Sequence, residues 1–285
     1  MKEILLLPNQ GKELALQLCT KIVDYLQTQG LNPYLEEKIA VAIDRAGFGR
    51  SEAQLFDKID LVLVLGGDGS MLNAARRVYP RQIPLLGINL GHLGFLTRVE
   101  SNKLENAFEQ LIQGNYLTEE RSMLEAEVIR DGKPVINFVA LNDLVVSKGS
   151  LARIIRLETW IDGEYFTTYP ADGLIVASAT GSTAYSLSAG GPIMDPGLKA
   201  ILITPICAHS LYARSLVLND TAVIKVLVNA NHTDITLTAD GQTAVTLLSG
   251  DEIHFKKAKA ITKLLRFNHQ GVYEVLQSRL KEGRI

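Results

Sequence analysis

Five residues, Gly66-Gly67-Asp68-Gly69-Ser70, stand between an unbroken aliphatic run, Leu61 to Leu65, and a stretch with helical spacing from Met71 to Val78. Glycines after a strand let the backbone approach a phosphate closely and allow positive φ. Ser70 is a good helix N-cap, and the helix behind it would offer free N–H groups and the positive end of its dipole. Gly66, Gly67, Gly69 and Ser70 are therefore the expected phosphate contacts. Asp68 is the anomaly, because a carboxylate repels phosphate. It has two chemical uses in such a turn. It can help hold a magnesium ion that bridges phosphates, or it can accept the proton of an attacking hydroxyl. A third reading is an Asp that only satisfies turn amides. The P-loop pattern GxxxxGK[ST] and the dinucleotide pattern GxGxxG both fail to fit.

A second cradle lies further along, in "ADGLIVASATGSTAYSLSAGGPIMDP", Ala171 to Pro196. Leu174 to Ala177 reads as a buried strand. Thr180-Gly181-Ser182-Thr183 is a small-residue turn rich in hydroxyls and amide donors. Ser182 to Ala189 reads as a short helix, halted by Gly190-Gly191-Pro192.

The elements that must carry these turns follow from periodicity. Ile4 to Leu7 is a short strand, and Leu14, Leu18, Ile22, Tyr25 and Leu26 mark a helix stopped at Gly30. Leu61 to Leu65 has the continuous apolar character of a parallel strand covered on both faces. The helix from Met71 is stopped by Pro80, Leu85 to Ile88 is another strand, and Leu104 to Ile112 a further helix. This βαβ rhythm predicts an α/β domain with an open doubly wound sheet, with ligands at the carboxyl ends of its strands. After Arg121 the period changes to two, over Leu124 to Ile129, Val135 to Val139, Ile154 to Trp160, Val223 to Val228, Ile235 to Thr238, Val245 to Leu248 and Ile253 to Phe255. Asp-Gly pairs such as Asp131-Gly132, Asp162-Gly163 and Asp240-Gly241 separate several of them. That predicts a β-rich, sandwich-like second domain. The expected division is 1–120, 121–265 and a C-terminal segment 266–285. Its helix, Tyr273 to Lys281, is expected to pack back on the first domain. A cleft between two domains is a preferred ligand site.

Composition limits the partners. The chain has 285 residues, 47% hydrophobic and 21% charged, with a formal net charge of -2. Nothing there indicates a nucleic-acid partner. Cys19 and Cys207 lie in apolar contexts and read as two buried, reduced thiols. The five histidines are scattered, so a divalent ion is expected to arrive with a nucleotide rather than in a His/Cys site. No apolar run approaches the roughly 18 residues of a membrane helix, and Met1-Lys2-Glu3-Ile4 does not open a signal peptide, so a cytoplasmic location is expected.

GGDG followed by a small polar residue resembles a superfamily of kinases that includes NAD kinases, diacylglycerol and sphingosine-type lipid kinases, and 6-phosphofructokinases. Ala171 to Pro196 resembles the NAD kinase pattern DGLIxSTPTGSTAYxLSxGGP, departing at Ala177-Ser178-Ala179, where that family usually has Ser-Thr-Pro. "GINLGHLGFLT" (Gly87 to Thr97) looks like the family's crossing between domains, and "ALNDLVV" (Ala140 to Val146) like its Asn-acid pair. "PICAHSLYARSLVL" (Pro205 to Leu218) matches loosely, with Ser215 where Pro is common. The lipid kinases and phosphofructokinases lack this combination.

The resemblance implies transfer of the γ-phosphate of ATP to the 2′-hydroxyl of the adenosine ribose of NAD. It implies Asp68 as the base and Gly69 as the space beside it. It also implies Asn142 and Asp143 on adenine and ribose, and Asp172 at the nicotinamide side. Thr183, Ala184, Tyr185 and Ser188 would line the adenine pocket, and Arg153 and Gln242 would contact the dinucleotide. Arg153 is expected to come from a neighbouring subunit of a homodimer or homotetramer. Pro170 stands at a position associated with the choice between NAD and NADH. The resemblance further implies magnesium with ATP, and polyphosphate as a donor in some relatives. The other readings are a lipid or sugar kinase of the same superfamily, or a non-catalytic NAD-binding sensor. The first lacks an acyl channel in the sequence. A sugar-phosphate kinase would need clustered Arg, with Arg76-Arg77 the candidate pair. A sensor would have no use for Asp68.

Overall fold

The computed structural model describes every residue except Pro80, His92, Leu93, Leu151, Ala152, Leu211, Tyr212, 268–274 and 278–285. The helix stop expected at Pro80 and most of the helix expected at 273–281 fall outside the described residues. Residues 275–277 are helical, with Val275 buried. The chain divides into two compact units, residues 1–120 together with the chain from Thr262, and residues 121–261.

The first unit is built on strands too apolar to face water. It contains β1 (Glu3–Pro8), α1 (Glu13–Thr28), β2 (Asn32–Glu36), α2 (Glu37–Ala42), β3 (Gly49–Arg50), β4 (Leu61–Gly66), α3 (Asp68–Val78), β5 (Leu85–Asn89), β6 (Val99–Glu100) and α4 (Leu104–Gln113). The strands are parallel in the order β3-β2-β1-β4-β5, and every residue of β4 and β5 is buried. Alternate residues of a strand face opposite sides. Ile4, Leu6, Leu63, Leu65, Leu86 and Ile88 pack with Ile22, Leu26, Ile39 and Phe108 from α1, α2 and α4. The other face carries α3, where Gly87 of β5 lies against Met71 and Thr97. Helices on both faces of a parallel sheet make the expected doubly wound arrangement. Cys19 sits in this core, and burial pushes its thiol up to about 12. Arg77 pairs with Glu36 and Glu52 and lies near the Phe56 ring. It is therefore tied into the scaffold rather than presented as half of an anion site.

The second unit has two antiparallel layers. β7 (Leu117–Arg130) leads into it, followed by β8 (Lys133–Ala140), β9 (Asp143–Lys148), β10 (Ile155–Ile161), β11 (Glu164–Ala171), β12 (Gly173–Ser178), α5 (Tyr185–Ser188), β13 (Ala200–Ile206), β14 (Leu216–Asn219), β15 (Ile224–Asn229), β16 (Ile235–Ala239), β17 (Thr243–Thr246) and β18 (Glu252–Arg266). One layer runs β14-β13-β12-β9-β16-β17, and the other joins β11-β10-β15-β18 with the β7–β8 hairpin. Leu144, Val146, Leu174, Val176 and Ile203 of the first layer meet Leu157, Val226, Ile253 and Phe255 of the second. This is a β-sandwich core. The far face of the six-stranded layer is also covered, with Val145, Ile175, Ala177 and Leu202 packing on Ala179 and Met194.

That double cover explains what the period-two reading missed. Most of β9 and the middle of β13 are buried on both sides, so they carry no alternation. β12, expected as the buried run Leu174–Ala177, is buried throughout. β18 is far longer than Ile253–Phe255, because Lys256 and Lys259 on its outer side interrupt the apolar pattern. The short helix expected over Ser182–Ala189 is two pieces: a 3-10 turn at Thr180–Thr183 and the single turn α5, separated by a break at Ala184 (φ -101, ψ -133). Cys207 is exposed, not buried; it follows the end of β13 with φ +45. Among the described residues, no helix is long and apolar enough to cross a membrane.

A methyl at Gly87 would meet Met71 Sδ at 2.8 Å and Thr97 Cα at 3.0 Å. Gly87→Ala should therefore cost about 1–3 kcal/mol through overpacking between β5 and α3, read as a lower urea midpoint.

Candidate functional site

The chemistry of the glycine turn depends on where its helix begins. α3 begins at Asp68, with Gly67 in the N-cap position (φ -114, ψ -167). Ser70 is therefore the third helical residue rather than the expected cap. Its hydroxyl accepts a hydrogen bond from Asn9 Nδ2 (3.3 Å) and lies where a Cβ on the buried Gly66 would collide with it. Glycine serves at an N-cap nearly as well as serine, so the helix loses little by starting early. Gly67 and Asp68 are half-buried and Gly69 is exposed, which leaves the opening of α3 open to solvent.

The Asp68 side chain turns away from its own helix. Oδ2 accepts the N–H of Phe95 (2.8 Å). Oδ1 accepts the N–H groups of Leu96 (3.0 Å) and Thr97 (3.1 Å) and the hydroxyl of Thr97 (3.2 Å). Thr97 Oγ1 in turn accepts Asn89 Nδ2 at 2.8 Å, and both residues are buried. Gly94 completes the grip, since a Cβ there would strike the Asp68 carboxylate. The described part of Gly87–Thr97 thus supplies the donors that orient Asp68. Four donors fix the carboxylate, and Oδ2, with one of them, keeps capacity to accept a further hydroxyl.

In the second unit, Asn142 and Asp143 form the turn from β8 into β9. Their backbone is held from two sides. Asp240 accepts the N–H groups of Leu141 (3.2 Å), Asn142 (2.8 Å) and Asp143 (3.3 Å). Ser178 N–H donates to Asn142 O (2.8 Å) and Ser178 Oγ to Leu141 O (2.6 Å). Gly181 is required beside them, because a Cβ there would run into Asn142 O. Asn142 Oδ1 is buried and has no partner among the described residues. A buried amide oxygen without a donor is costly unless a ligand supplies one. Asp143 is 5% exposed. Burial raises its carboxyl from the ordinary 3.8 to about 7; the charge of Asp240 acts in the same direction, and a hydrogen bond from the Tyr185 backbone N–H opposes them.

The segment after β12 sorts its hydroxyls by direction. Ser182 and Ser186 point inward, bonding to Ala179 O, the Met194 backbone and Thr204. Thr183 and Ala184 are half-buried, Ser188 is exposed and Tyr185 is 47% exposed. Tyr185 is therefore not a core aromatic. Asn142, Asp143 and the Tyr185 backbone come together at one end of β9; Gln242, exposed, follows Asp240 in the β16–β17 turn.

Arg153, expected from a neighbouring subunit, comes together with Asp172 within one chain, in a cleft of about 800 Å³ lined also by Lys148, Arg156, His209 and His232. Asp172 pairs with Lys148 at 2.9 Å. His232 Nε2 lies 2.8 Å from Arg153 O, and its buried Nδ1 has no partner among the described residues. Pro170 is half-buried beside this cleft, its carbonyl accepting the N–H of His209 at 2.7 Å. Lys148 and Asp143 are the two ends of β9, so the two polar clusters stand about 17 Å apart along the strand.

Two family models match the sequence: the ATP-NAD kinase N-terminal domain over residues 4–116 and the ATP-NAD kinase C-terminal domain over residues 141–267. The NAD kinase of Caldanaerobacter subterraneus subsp. tengcongensis is 40% identical over 99% of this chain and 100% of its own length. That of Moorella thermoacetica is 43% identical over 99% of this chain and 90% of its own. The chain belongs to the NAD kinase family. A crystal structure of yeast NADH kinase complexed with NADH superposes with a TM-score of 0.90 at 26% identity, covering 99% of this chain and 87% of that one. An NAD kinase from Archaeoglobus fulgidus in complex with ATP shares the fold, with a TM-score of 0.77 at 23% identity and 99% of each chain covered.

Sequence reasoning missed Asn89, Gly94 and Thr97 as the seat of Asp68, and Ser178 and Asp240 as the clamp on Asn142–Asp143. Asp240-Gly241 registered only as a turn. Lys148, Arg156 and His232 carry no motif; they meet because β9, β10 and the β15–β16 connection end side by side. Two outcomes follow. Gly94→Ala should displace the Asp68 carboxylate and lower kcat by roughly 100-fold, as small misplacements of a reacting group do, in steady-state assays. Asp143 has a folded-state value above its ordinary one, so the folded protein keeps a proton that the unfolded chain releases between about pH 4 and 7. The Asp143 contribution to stability therefore falls as pH rises through that window. Asp143→Asn should be the more stable protein at pH 8, by on the order of a few kcal/mol, with the gap closing toward pH 4 in urea titrations.

Proposed function

We propose that this chain transfers the γ-phosphate of ATP to the 2′-hydroxyl of the adenosine ribose of NAD, giving NADP. The observation that carries this reading is the Asp68 carboxylate, anchored at the opening of α3 with Oδ2 able to accept another hydroxyl. In this reading Asp68 takes the 2′-hydroxyl proton as that oxygen bonds to the γ-phosphorus. The bond from the γ-phosphorus to the β–γ bridging oxygen breaks, and ADP leaves with that oxygen. The N–H groups of Gly67, Asp68 and Gly69 would face the phosphates, while that of Ser70 donates to Gly67 O at 3.0 Å. Magnesium comes with ATP and offsets phosphate charge when bound. Among the described residues no three His, Cys, Asp or Glu converge; the ion would be held chiefly by the phosphates it arrives with.

NAD would lie along β9. Its adenosine end would meet Asn142, whose Oδ1 awaits a donor such as an adenine amino group, and Asp143, which takes a ribose hydroxyl. Tyr185 supplies an aromatic wall, with Thr183, Ala184, Ser188 and Gln242 around it. The nicotinamide end would meet Asp172, Arg153 and Pro170. The roughly 17 Å between the two clusters suits an extended dinucleotide. The division of labour then follows the expected domains, a glycine-turn domain within 1–120 and a dinucleotide domain within 121–265, in a cytoplasmic homodimer or homotetramer.

Protein incubated with ATP, magnesium and NAD and coupled to an NADP-specific dehydrogenase should generate NADP. Its absence from folded protein, or faster turnover of sphingosine or fructose 6-phosphate in an acceptor panel, would sink this reading. Asp68→Asn should keep NAD affinity and lose about 100-fold or more in kcat, the scale of a general base. Undiminished turnover would remove Asp68 from that role.

A further inference from the structure

The proposed NAD site leaves one acid without a part. We propose that Asp240, without touching the dinucleotide, is the positioning residue of the adenosine end: its carboxylate fixes the Asn142–Asp143 turn and acts electrostatically on Asp143. This rests on the reading of Asn142 and Asp143 as NAD contacts.

Three consecutive N–H groups, of Leu141, Asn142 and Asp143, converge on the Asp240 carboxylate at 2.8–3.3 Å, and Asp240 returns its own N–H to Asp143 O at 2.9 Å. Successive amides arranged in this way make an anion-holding nest. Here the anion is a side chain brought by the β16–β17 turn. With Ser178 holding the carbonyls on the other side, the turn cannot pivot, and the Asn142 and Asp143 side chains keep fixed directions. Ordinary turn chemistry does not account for this. Asp162, also at φ +51 before a glycine, accepts one amide, that of Val223, at 2.8 Å. Asp240 has the same φ and takes three.

Asp240 is also a charge beside Asp143. β12 presents Ala177 to Asp143 across the sheet, and the segment after β12 presents the Tyr185 backbone N–H. On the β16 side Ala239 pairs with Leu144, and Asp240 itself meets Asp143. Among the described residues, Asp240 is the formal charge acting on Asp143. It helps raise the Asp143 value to about 7, after burial. Removing that charge should lower the pH at which Asp143 titrates.

The test is steady-state kinetics from pH 5.5 to 8.5 on wild type, Asp240→Gly, which suits the positive φ, Asp240→Asn, which keeps part of the acceptor set, and Asp162→Gly as control. Asp240→Gly should raise the KM for NAD about 10-fold and Asp240→Asn about 3-fold, with kcat within about 3-fold and the KM for ATP unchanged. The midpoint of the pH dependence of the NAD KM, near 7 in wild type, should move down by about half a unit or more in both. Asp162→Gly should move neither. An unchanged NAD KM, or a fall in kcat and thermal midpoint with the pH midpoint fixed, overturns the proposal. If Asp240→Gly does not fold, Asp240→Asn and its pH midpoint decide. If wild type makes no NADP, the function reading fails instead, and calorimetric NAD titrations of the same variants over the same pH range still decide the role of Asp240.

Discussion

Backbone N–H groups of one loop close around the carboxylate of another, and each unit relies on that contact to aim its polar groups. In the first unit the loop is Phe95–Thr97 and the acid Asp68; in the second the loop is Leu141–Asp143 and the acid Asp240. A carboxylate on a flexible side chain loses rotamer freedom when ordered. Charge-assisted hydrogen bonds to amides are the stronger kind and offset that loss. The two contacts serve opposite ends. In the proposed reaction Asp68 is held so that it can act, whereas Asp240 is held so that the residues beside it can. The glycines fit this scheme: Gly94 makes room for the Asp68 carboxylate, and Gly181 for the Asn142 carbonyl.

The second unit also shows why a buried acid can persist in a sandwich. Asp143 begins a strand whose next three residues are buried, and among the described residues no cation comes to it. Burial therefore raises its carboxyl into the neutral range instead of producing an ion pair. The neighbouring Asn142 Oδ1 is left without a donor among the described residues. These are local costs against the stability of a core otherwise filled by aliphatic side chains. Such costs cluster where a ligand will later supply the missing partners.

Much of this architecture was legible in the sequence. The parallel sheet of the first unit follows from aliphatic runs such as Leu61–Leu65, which suit only a strand covered on both faces. The outer strands of the sandwich, such as β15 and β16, alternate cleanly and were readable as period two. β9 and β13 were not, since cover on both faces erases the alternation, whereas β12 was readable as the continuous buried run Leu174–Ala177. Motif spacing located Asp68, Asn142, Asp143 and Asp172, but not what holds them. Asn89, Thr97 and Asp240 act through hydrogen bonds across 8 to 99 positions of sequence. No local period encodes contacts at that range. The start of α3 was misread because Ser70 is the better cap by type. The chain instead uses Gly67 and leaves the Ser70 hydroxyl to Asn9.

β18 links the two units along a single strand, and the first unit needs residues from both ends of the chain: Leu264 pairs with Leu85, and Arg266 pairs with Glu119. A ribosome adding about 5–20 residues per second would place roughly 7–28 s between completing residue 120 and delivering Thr262. During that interval the edge of β5 that receives Leu264 has no partner from β18, while the second unit is still being synthesised. The order of assembly is thus imposed by connectivity: the segment inserted in the middle of the chain emerges in full before the segment that surrounds it can close.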